Sequence, residues 1–120
     1  MIYGHVRDKF ARFTLSLPGL DGPASIEFIL DTGFEGFLSL PRAVVDALDA
    51  VYLGDRPVAF ADGLVRTRPF DQIMLEWQED LRPIEIIVLD GKPLLGVDLI
   101  EESFLQAETT DGGEVSIEPL

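Results

Sequence analysis

The stretch Phe28–Gly33, with the sequence Phe-Ile-Leu-Asp-Thr-Gly, places one carboxylate at the end of a strongly apolar segment. Much later in the chain, Pro93–Gly96 gives an apolar pair followed by a glycine. A carboxylate beside a buried strand is costly to leave without a partner, so Asp31 indicates a chemical role rather than a packing role. The sequence therefore predicts a reactive carboxylate where a buried strand ends.

Alternation of apolar and polar residues predicts that most of the chain is β-strand. The alternation is clearest in Phe13–Leu17 and Ala24–Leu30, and the turn-forming residues of Pro18–Pro23 separate the two. This pattern is typical of a hairpin with one buried face. Further strands are predicted at Phe37–Leu40, Arg56–Ala61, Leu64–Phe70, Gln72–Trp77, Ile84–Leu89 and Glu114–Ile117.

Helix is predicted in only two places. Pro41–Ala50 starts with a proline that suits a first helical turn, and it carries apolar residues on one face. The second helix is predicted over Val97–Phe104. The chain of 120 residues has no internal repeat or linker, so we expect a single domain over residues 1–120.

Three segments in this order resemble the retropepsin-like aspartic proteases: the Asp-Thr-Gly triplet Asp31–Gly33, the strand end Leu38–Pro41 and the apolar segment Leu94–Ile100. The string Asp31–Phe34, Asp-Thr-Gly-Phe, is similar to that of a small prokaryotic family with single-domain members. The resemblance extends over Ala24–Ile117 and thus covers most of the chain. It implies an all-β fold, a closed β-barrel with one or two short helices and one lobe per chain.

The resemblance also implies an activity, aspartic endopeptidase, with Asp31 as the catalytic residue. Such enzymes hold a water molecule between two aspartates that share one proton. The chain contains only one Asp-Thr-Gly triplet, so the second Asp31 must come from a partner in a symmetric homodimer. The family pairs its chain ends across the dimer, which places Ile2–Val6 and Val115–Leu120 at the expected interface.

The resemblance assigns roles to the neighbours of Asp31. The Thr32 hydroxyl is expected to reach across the dimer axis, and Gly33 is expected to bring its N–H close to the carboxylate. Gly96 is expected to pass beside the triplet, where any side chain would push the two segments apart. The hairpin Val58–Arg68, with the tip Ala61-Asp62-Gly63, is the expected flap over a peptide or protein substrate.

Two positions depart from the retroviral pattern. Phe34 occupies the position that usually has a small residue, so it removes a possible hydroxyl and adds bulk near the substrate cleft. Val97 occupies the position of a common arginine that pairs with an acid after the triplet, and this leaves Glu35 without that partner. A plain turn at Asp31–Gly33 and a solvated carboxylate at Glu35 are the alternatives without a functional role.

Composition excludes several other functions. The net charge of −13, from 22 acidic and 9 basic side chains, opposes binding to nucleic acid. No cysteine is present and His5 is the only histidine, so we expect neither a metal site nor a cofactor, and a Ser-His-Asp triad is disfavoured. The segment Met1–Lys9 has no signal-peptide core and no run is long enough for a membrane helix, which predicts a cytoplasmic protein without a membrane partner.

Two other functions fit the same residues. The first is a dimeric module of the same fold that binds an extended peptide or a partner protein without cutting it, and Phe34 and Glu35 are the residues that favour it. The second is a small acidic domain that only mediates assembly.

Overall fold

The computed structural model describes residues 1–120 as a mostly β fold with ten strands and two short helices. The strands are β1 Ile2–Arg7, β2 Phe10–Leu17, β3 Ala24–Leu30, β4 Leu38–Leu40, β5 Val51–Ala59, β6 Val65–Trp77, β7 Asp80–Val88, β8 Leu94–Leu95, β9 Ser103–Ala107 and β10 Glu114–Pro119. The helices are α1 Arg42–Asp46, between β4 and β5, and α2 Val97–Ile100, between β8 and β9.

All ten strands belong to one sheet, in the order β5-β6-β7-β4-β8-β3-β2-β1-β10-β9. The sheet is open, because β5 and β9 each pair with a neighbour on one side only. The mostly β composition with two short helices agrees with the sequence prediction. The closed barrel implied by the resemblance is not seen, since no ladder joins β5 to β9.

The hairpin of β2 and β3 forms as its alternation predicts. Phe13 lies opposite Phe28 in the antiparallel register, and both side chains are fully buried. Leu15 and Leu17 follow Phe13 on the same face, whereas the intervening Thr14 and Ser16 are exposed. Period-two burial of this kind results from successive side chains pointing to opposite faces of a strand.

The two terminal strands lie side by side inside the sheet of one chain. β1 pairs with β10, with Ile2 opposite Ile117, and the outer neighbours of this pair are β2 and β9. Most ladder positions of both strands are therefore paired within the chain, the exceptions including Ile2–Gly4 on the β2 side and Glu118 and Pro119 on the β1 side. Because β1 and β10 already pair within one chain, the contact across a dimer through Ile2–Val6 and Val115–Leu120 is not seen in the single chain and stays a prediction.

β6 is a single strand of 13 residues, where the sequence pattern predicted two strands separated at Asp71. Only Phe70–Gln72 pairs with both β5 and β7, whereas Val65–Pro69 pairs with β5 alone and Ile73–Trp77 pairs with β7 alone. The β5–β6 register shifts between Tyr52 and Gly54, and Gly54 has a φ of +123°. Asp71 is buried at the three-stranded part, where its carboxylate lies 3.3 Å from Arg42 Nη2.

Both helices are shorter than predicted. α1 covers five residues of the predicted Pro41–Ala50, and α2 ends at Ile100 rather than at Phe104. Glu102, with a φ of +60°, reverses the chain after α2 so that Ser103 begins β9. Neither helix is long and apolar enough to cross a lipid bilayer.

The core is one cluster of 19 buried apolar residues contributed by both halves of the sheet and by the helices. Trp77 belongs to it, as do Leu38 of β4, Leu95 of β8 and Leu99 of α2. The segments next to Asp31 are thus fixed by the main core of the domain.

We expect Ile84→Ala to lower the free energy of unfolding by about 2–5 kcal/mol, because it removes a fully buried side chain and leaves a cavity. Leu81→Ala is the matched control on the same strand, since Leu81 is 67% exposed, and it should change the value by about 0.5 kcal/mol or less. Urea denaturation measures both. Equal effects of the two substitutions would contradict the assignment of the core.

Candidate active site

The segment that carries Asp31 is a loop, residues 31–37, which links β3 to β4. β8 lies between these two strands: it is parallel to β3, with Leu30 opposite Leu95, and antiparallel to β4, with Leu38 opposite Leu95. The loop therefore passes over the end of β8. The apolar pair before Gly96 forms this strand, in the position beside the Asp-Thr-Gly triplet that the family resemblance implied.

Backbone hydrogen bonds tie the loop to β8 and α2. The Asp31 N–H donates to the Leu95 carbonyl at 3.0 Å, and the Gly96 N–H donates to the Phe37 carbonyl at 2.9 Å. The N–H groups of Val97 and Asp98 donate to the carbonyls of Phe34 and Gly36, at 3.0 and 3.1 Å. Because these bonds join main-chain atoms, they fix the path of the loop independently of its side chains.

Gly96 and Gly36 allow this close approach. A Cβ atom at Gly96 would collide with the Gly36 carbonyl oxygen and would lie 2.7 Å from the Phe34 carbonyl oxygen. A Cβ atom at Gly36 would lie 2.7 Å from the Phe34 ring. Gly96 has the position that the sequence predicted for it, whereas Gly36 was not singled out, although it follows Phe34 by only two residues.

The Asp31 carboxylate is half-buried and takes part in no ion pair. Its Oδ1 accepts a hydrogen bond of 2.9 Å from the Gly33 N–H. The carboxylate lines a cavity of about 520 Å³, which we call the Asp31 cavity, and the other residues in its wall include Phe10, Thr32 and Lys92. A carboxylate that is oriented by one N–H and otherwise free can bind water or a polar ligand.

Thr32 and Gly33 are exposed at the tip of the loop. The tip is accessible in the single chain, so a second copy of the loop can approach it.

A second cavity, of about 540 Å³, lies between the loop and the hairpin of β5 and β6; we call it the hairpin cavity. Gly33, Phe34 and Glu35 line one side, and residues 57–61 line the other. The predicted flap hairpin thus faces the Asp-Thr-Gly loop. Of its predicted tip residues, Ala61 lines the cavity, whereas Asp62 and Gly63 form the turn.

Short-range interactions hold the turn of the hairpin. The Asp62 carboxylate accepts hydrogen bonds from Arg66, at 2.8 Å, and from the Leu64 N–H, at 2.9 Å. The bond from Arg66, followed by that from Leu64, holds the pKa of Asp62 below its ordinary value. Gly63 adopts a φ of +82°, which glycine tolerates best. The tip is therefore a compact, charged turn.

Phe34 forms part of the wall of the hairpin cavity. Its ring is half-buried and lies against the Cα positions of Gly36 and Gly96. Two glycines thus accommodate the bulk that distinguishes this position from the retroviral pattern. Glu35 is exposed beside Phe34 and forms no salt bridge. Val97, at the position of the retroviral arginine, contacts the loop through its N–H and offers no charge to Glu35.

The outer face of β3 carries a separate charged network. Glu27 accepts hydrogen bonds from Arg7, at 2.6 Å, and from the buried Arg12, at 3.3 Å. The hydrogen bond from Arg7 is the main cause that lowers the pKa of Glu27. The His5 ring lies 3.3 Å from Arg7, so the only histidine belongs to this network and not to the Asp31 loop. The network stabilises the strand that leads to Asp31.

No group of three or more histidine, aspartate or glutamate side chains is arranged to hold a metal ion. Comparisons with protein-family models, with curated proteins and with solved structures found no match. The interpretation of the site therefore depends on its geometry and on the sequence motifs.

We expect Gly96→Ala to displace the 31–37 loop and to lower the free energy of unfolding by about 1–3 kcal/mol, because the added methyl group collides with backbone. Amide NMR shifts of Asp31 and Gly33, together with urea denaturation, measure the two effects. Val97→Ala is the control at the neighbouring position and should leave the loop shifts in place. Unchanged shifts and stability in Gly96→Ala would show that the two segments are not in contact.

Proposed function

We propose that the protein is a retropepsin-like aspartic endopeptidase that acts as a symmetric homodimer, with Asp31 of each protomer in one shared site. The observation that carries this proposal is the position of Asp31. It lies at the end of a buried strand, in a loop fixed over β8, with its carboxylate bonded to the Gly33 N–H and a hairpin facing the loop across a cavity.

In the proposed mechanism, the two Asp31 carboxylates share one proton and hold a water molecule between them. The ionised carboxylate takes a proton from the water as it attacks the peptide carbonyl, and the protonated one donates to the carbonyl oxygen. The tetrahedral intermediate then breaks as a proton passes to the leaving nitrogen. The products are a carboxylic acid and an amine, and the pair returns to its singly protonated state.

The neighbouring residues would support this chemistry. The Gly33 N–H orients the carboxylate, and the Thr32 hydroxyl at the exposed tip would bond to the partner loop. Phe34, Glu35 and Gly96 would form the substrate cleft. The hairpin with Ala61, Asp62 and Gly63 at its end would close over an extended peptide and exclude water.

The dimer would form at the loop tips, since a single chain supplies one Asp-Thr-Gly triplet and exposes it. β1 and β10 already pair with each other and with β2 and β9, which favours the loop tips over the terminal strands as the contact. The cytoplasm is the compartment that we propose for the enzyme.

A peptide-binding module without catalysis is the second candidate. Phe34 is the observation that favours it, because its ring provides an apolar wall where a hydroxyl donor could have supported Asp31. Both functions require the same cavity and hairpin, and cleavage distinguishes them.

We expect Asp31→Asn to reduce peptide cleavage by about 10²–10⁴-fold or more, because it removes the group that exchanges protons with water and substrate. The substitution keeps the side-chain shape, so circular dichroism and sedimentation should be unchanged. Cleavage of an unbiased peptide mixture, followed by mass spectrometry, is the measurement. Activity that survives the substitution would assign the chemistry to other residues, and a wild type that binds peptides without cutting them would favour the second candidate.

We expect sedimentation at micromolar concentration to show a particle of twice the 13.3 kDa chain mass. Thr32→Arg should shift it toward the monomer, because a C₂ axis at the loop would place the two arginines face to face. Thr110→Arg adds the same charge at an exposed turn and serves as the control. A strict monomer at the highest accessible concentration would rule out the shared site.

A further inference from the structure

The hairpin cavity combines apolar walls with carboxylates. Eight of its 14 lining residues are hydrophobic, among them Phe34, Phe37, Phe60 and Ile87. The charged residues of its wall are Glu35, Glu85 and Asp98, and no lysine or arginine lines it. The wall of the cavity is therefore apolar with three acidic groups, and the cations close to it besides Arg56 are Arg66 and Arg68, whose guanidinium groups lie 4.7 and 5.8 Å from the centre of the Phe60 ring.

Two of the three carboxylates are free to accept a cation. Glu85 forms a salt bridge of 3.0 Å with Arg56. Glu35 and Asp98 are exposed and form no salt bridge, although both belong to the segments that are hydrogen-bonded together beside Asp31. Their charge is consequently not neutralised by the chain itself.

Arg56 shows which side chain suits this wall. Its guanidinium lies 3.9 Å from the centre of the Phe70 ring and is paired with Glu85, and both of these residues line the cavity. A cation over an aromatic ring with a carboxylate beside it is a favourable arrangement. Arg56 thus provides the cation for Phe70 and Glu85. Glu35 and Asp98 have no such cation from the chain.

The Asp31 cavity has a different character. Besides Asp31 it contains one acid, Asp90, and one base, Lys92, and the rest of its wall includes the apolar side chains of Phe10, Ile29 and Leu94. With two acids and one base, its wall is less negative than that of the hairpin cavity, which makes it the weaker site for a basic side chain. The two cavities, which meet at the Thr32–Gly33 segment, therefore select for different side chains.

We infer that the substrates are peptides that place a lysine or arginine side chain in the hairpin cavity, with Glu35 and Asp98 as the residues that determine this specificity, and an apolar side chain in the Asp31 cavity. This inference rests on the proposed peptidase function. The long aliphatic stem of lysine or arginine contacts the apolar walls while its charged end reaches the exposed carboxylates. A negative field of this kind also repels acidic peptides.

The test uses matched peptides that carry lysine, norleucine or glutamate at one position near the cleavage site. Norleucine keeps the aliphatic stem of lysine and lacks the charge. We expect the wild type to prefer lysine over norleucine in kcat/KM by about tenfold, the factor that a hydrogen bond to a charged group supplies. The preference should decrease with added salt.

Glu35→Gln and Asp98→Asn should each reduce the preference, and in the double variant the ratio of kcat/KM for the lysine peptide to that for the norleucine peptide should fall to about one. Glu76→Gln is the control, because it changes the net charge equally at an exposed site on β6 about 20 Å along the strand from Phe70. It should retain the wild-type preference.

The same peptides are also measured for binding to the Asp31→Asn protein, so that the inference is tested even without turnover. Cleavage or binding that is indifferent to the lysine charge overturns the inference and leaves the proposed function intact. A preference that persists in the double variant shows that other residues select the cation and also overturns it. Lysine-selective binding without cleavage by the wild type supports the inference and contradicts the peptidase activity. Absence of both cleavage and binding overturns the two together.

Discussion

The close approach of two backbones, the 31–37 loop and the turn after β8, is the constraint on which the site depends. β8 has only two residues, and it keeps its place because it pairs with β3 on one side and β4 on the other. Beyond it, Gly96 and Gly36 provide the space in which main-chain N–H groups reach the loop carbonyls. The position of Asp31 is therefore set by main-chain geometry. The side chains around it are not needed to hold the loop and can contact a ligand.

The distribution of charge follows from the scarcity of cations. Of the nine basic residues, five arginines form ion pairs inside the chain: Arg7, Arg12, Arg42, Arg56 and Arg66. These pairs fix strands and turns, such as β3 through Glu27 and the hairpin tip through Asp62. The acidic residues that remain unpaired, including Glu35 and Asp98, account for the negative field around the candidate cleft.

Sequence patterns predicted the parts of the fold in which burial alternates or a motif recurs. The β2–β3 hairpin and the strand beside the Asp-Thr-Gly triplet belong to this group. The patterns failed where geometry is set by partners distant in sequence. Ser103 and Phe104, the first two residues of β9, were predicted as the end of a helix, because Glu102 reverses the chain without a glycine or proline. β7 begins at Asp80, before the predicted start at Ile84. The turn that precedes it, at Gln78 and Glu79, has positive φ values at both residues but contains no glycine or proline that would mark it in the sequence. Residue patterns could not predict the cavities, as each combines segments that only the sheet order brings together; the cleft beneath the hairpin was expected only through the family resemblance.

The unequal support along β6 has a mechanical consequence. From Phe70 to Gln72 the strand has neighbours on both sides, and the buried Asp71, paired with Arg42, fixes this part to α1. Before Phe70 only β5 supports it, and β5 is itself the last strand of the sheet. A two-stranded ribbon is the least cooperative part of a sheet, so it can bend as a unit while the rest stays folded. Bending is easiest beside Gly54, where the ladder is already irregular. β6 continues without a break from the two-stranded ribbon into the buried part of the sheet. Strain from a ligand under the ribbon is therefore transmitted directly to the core.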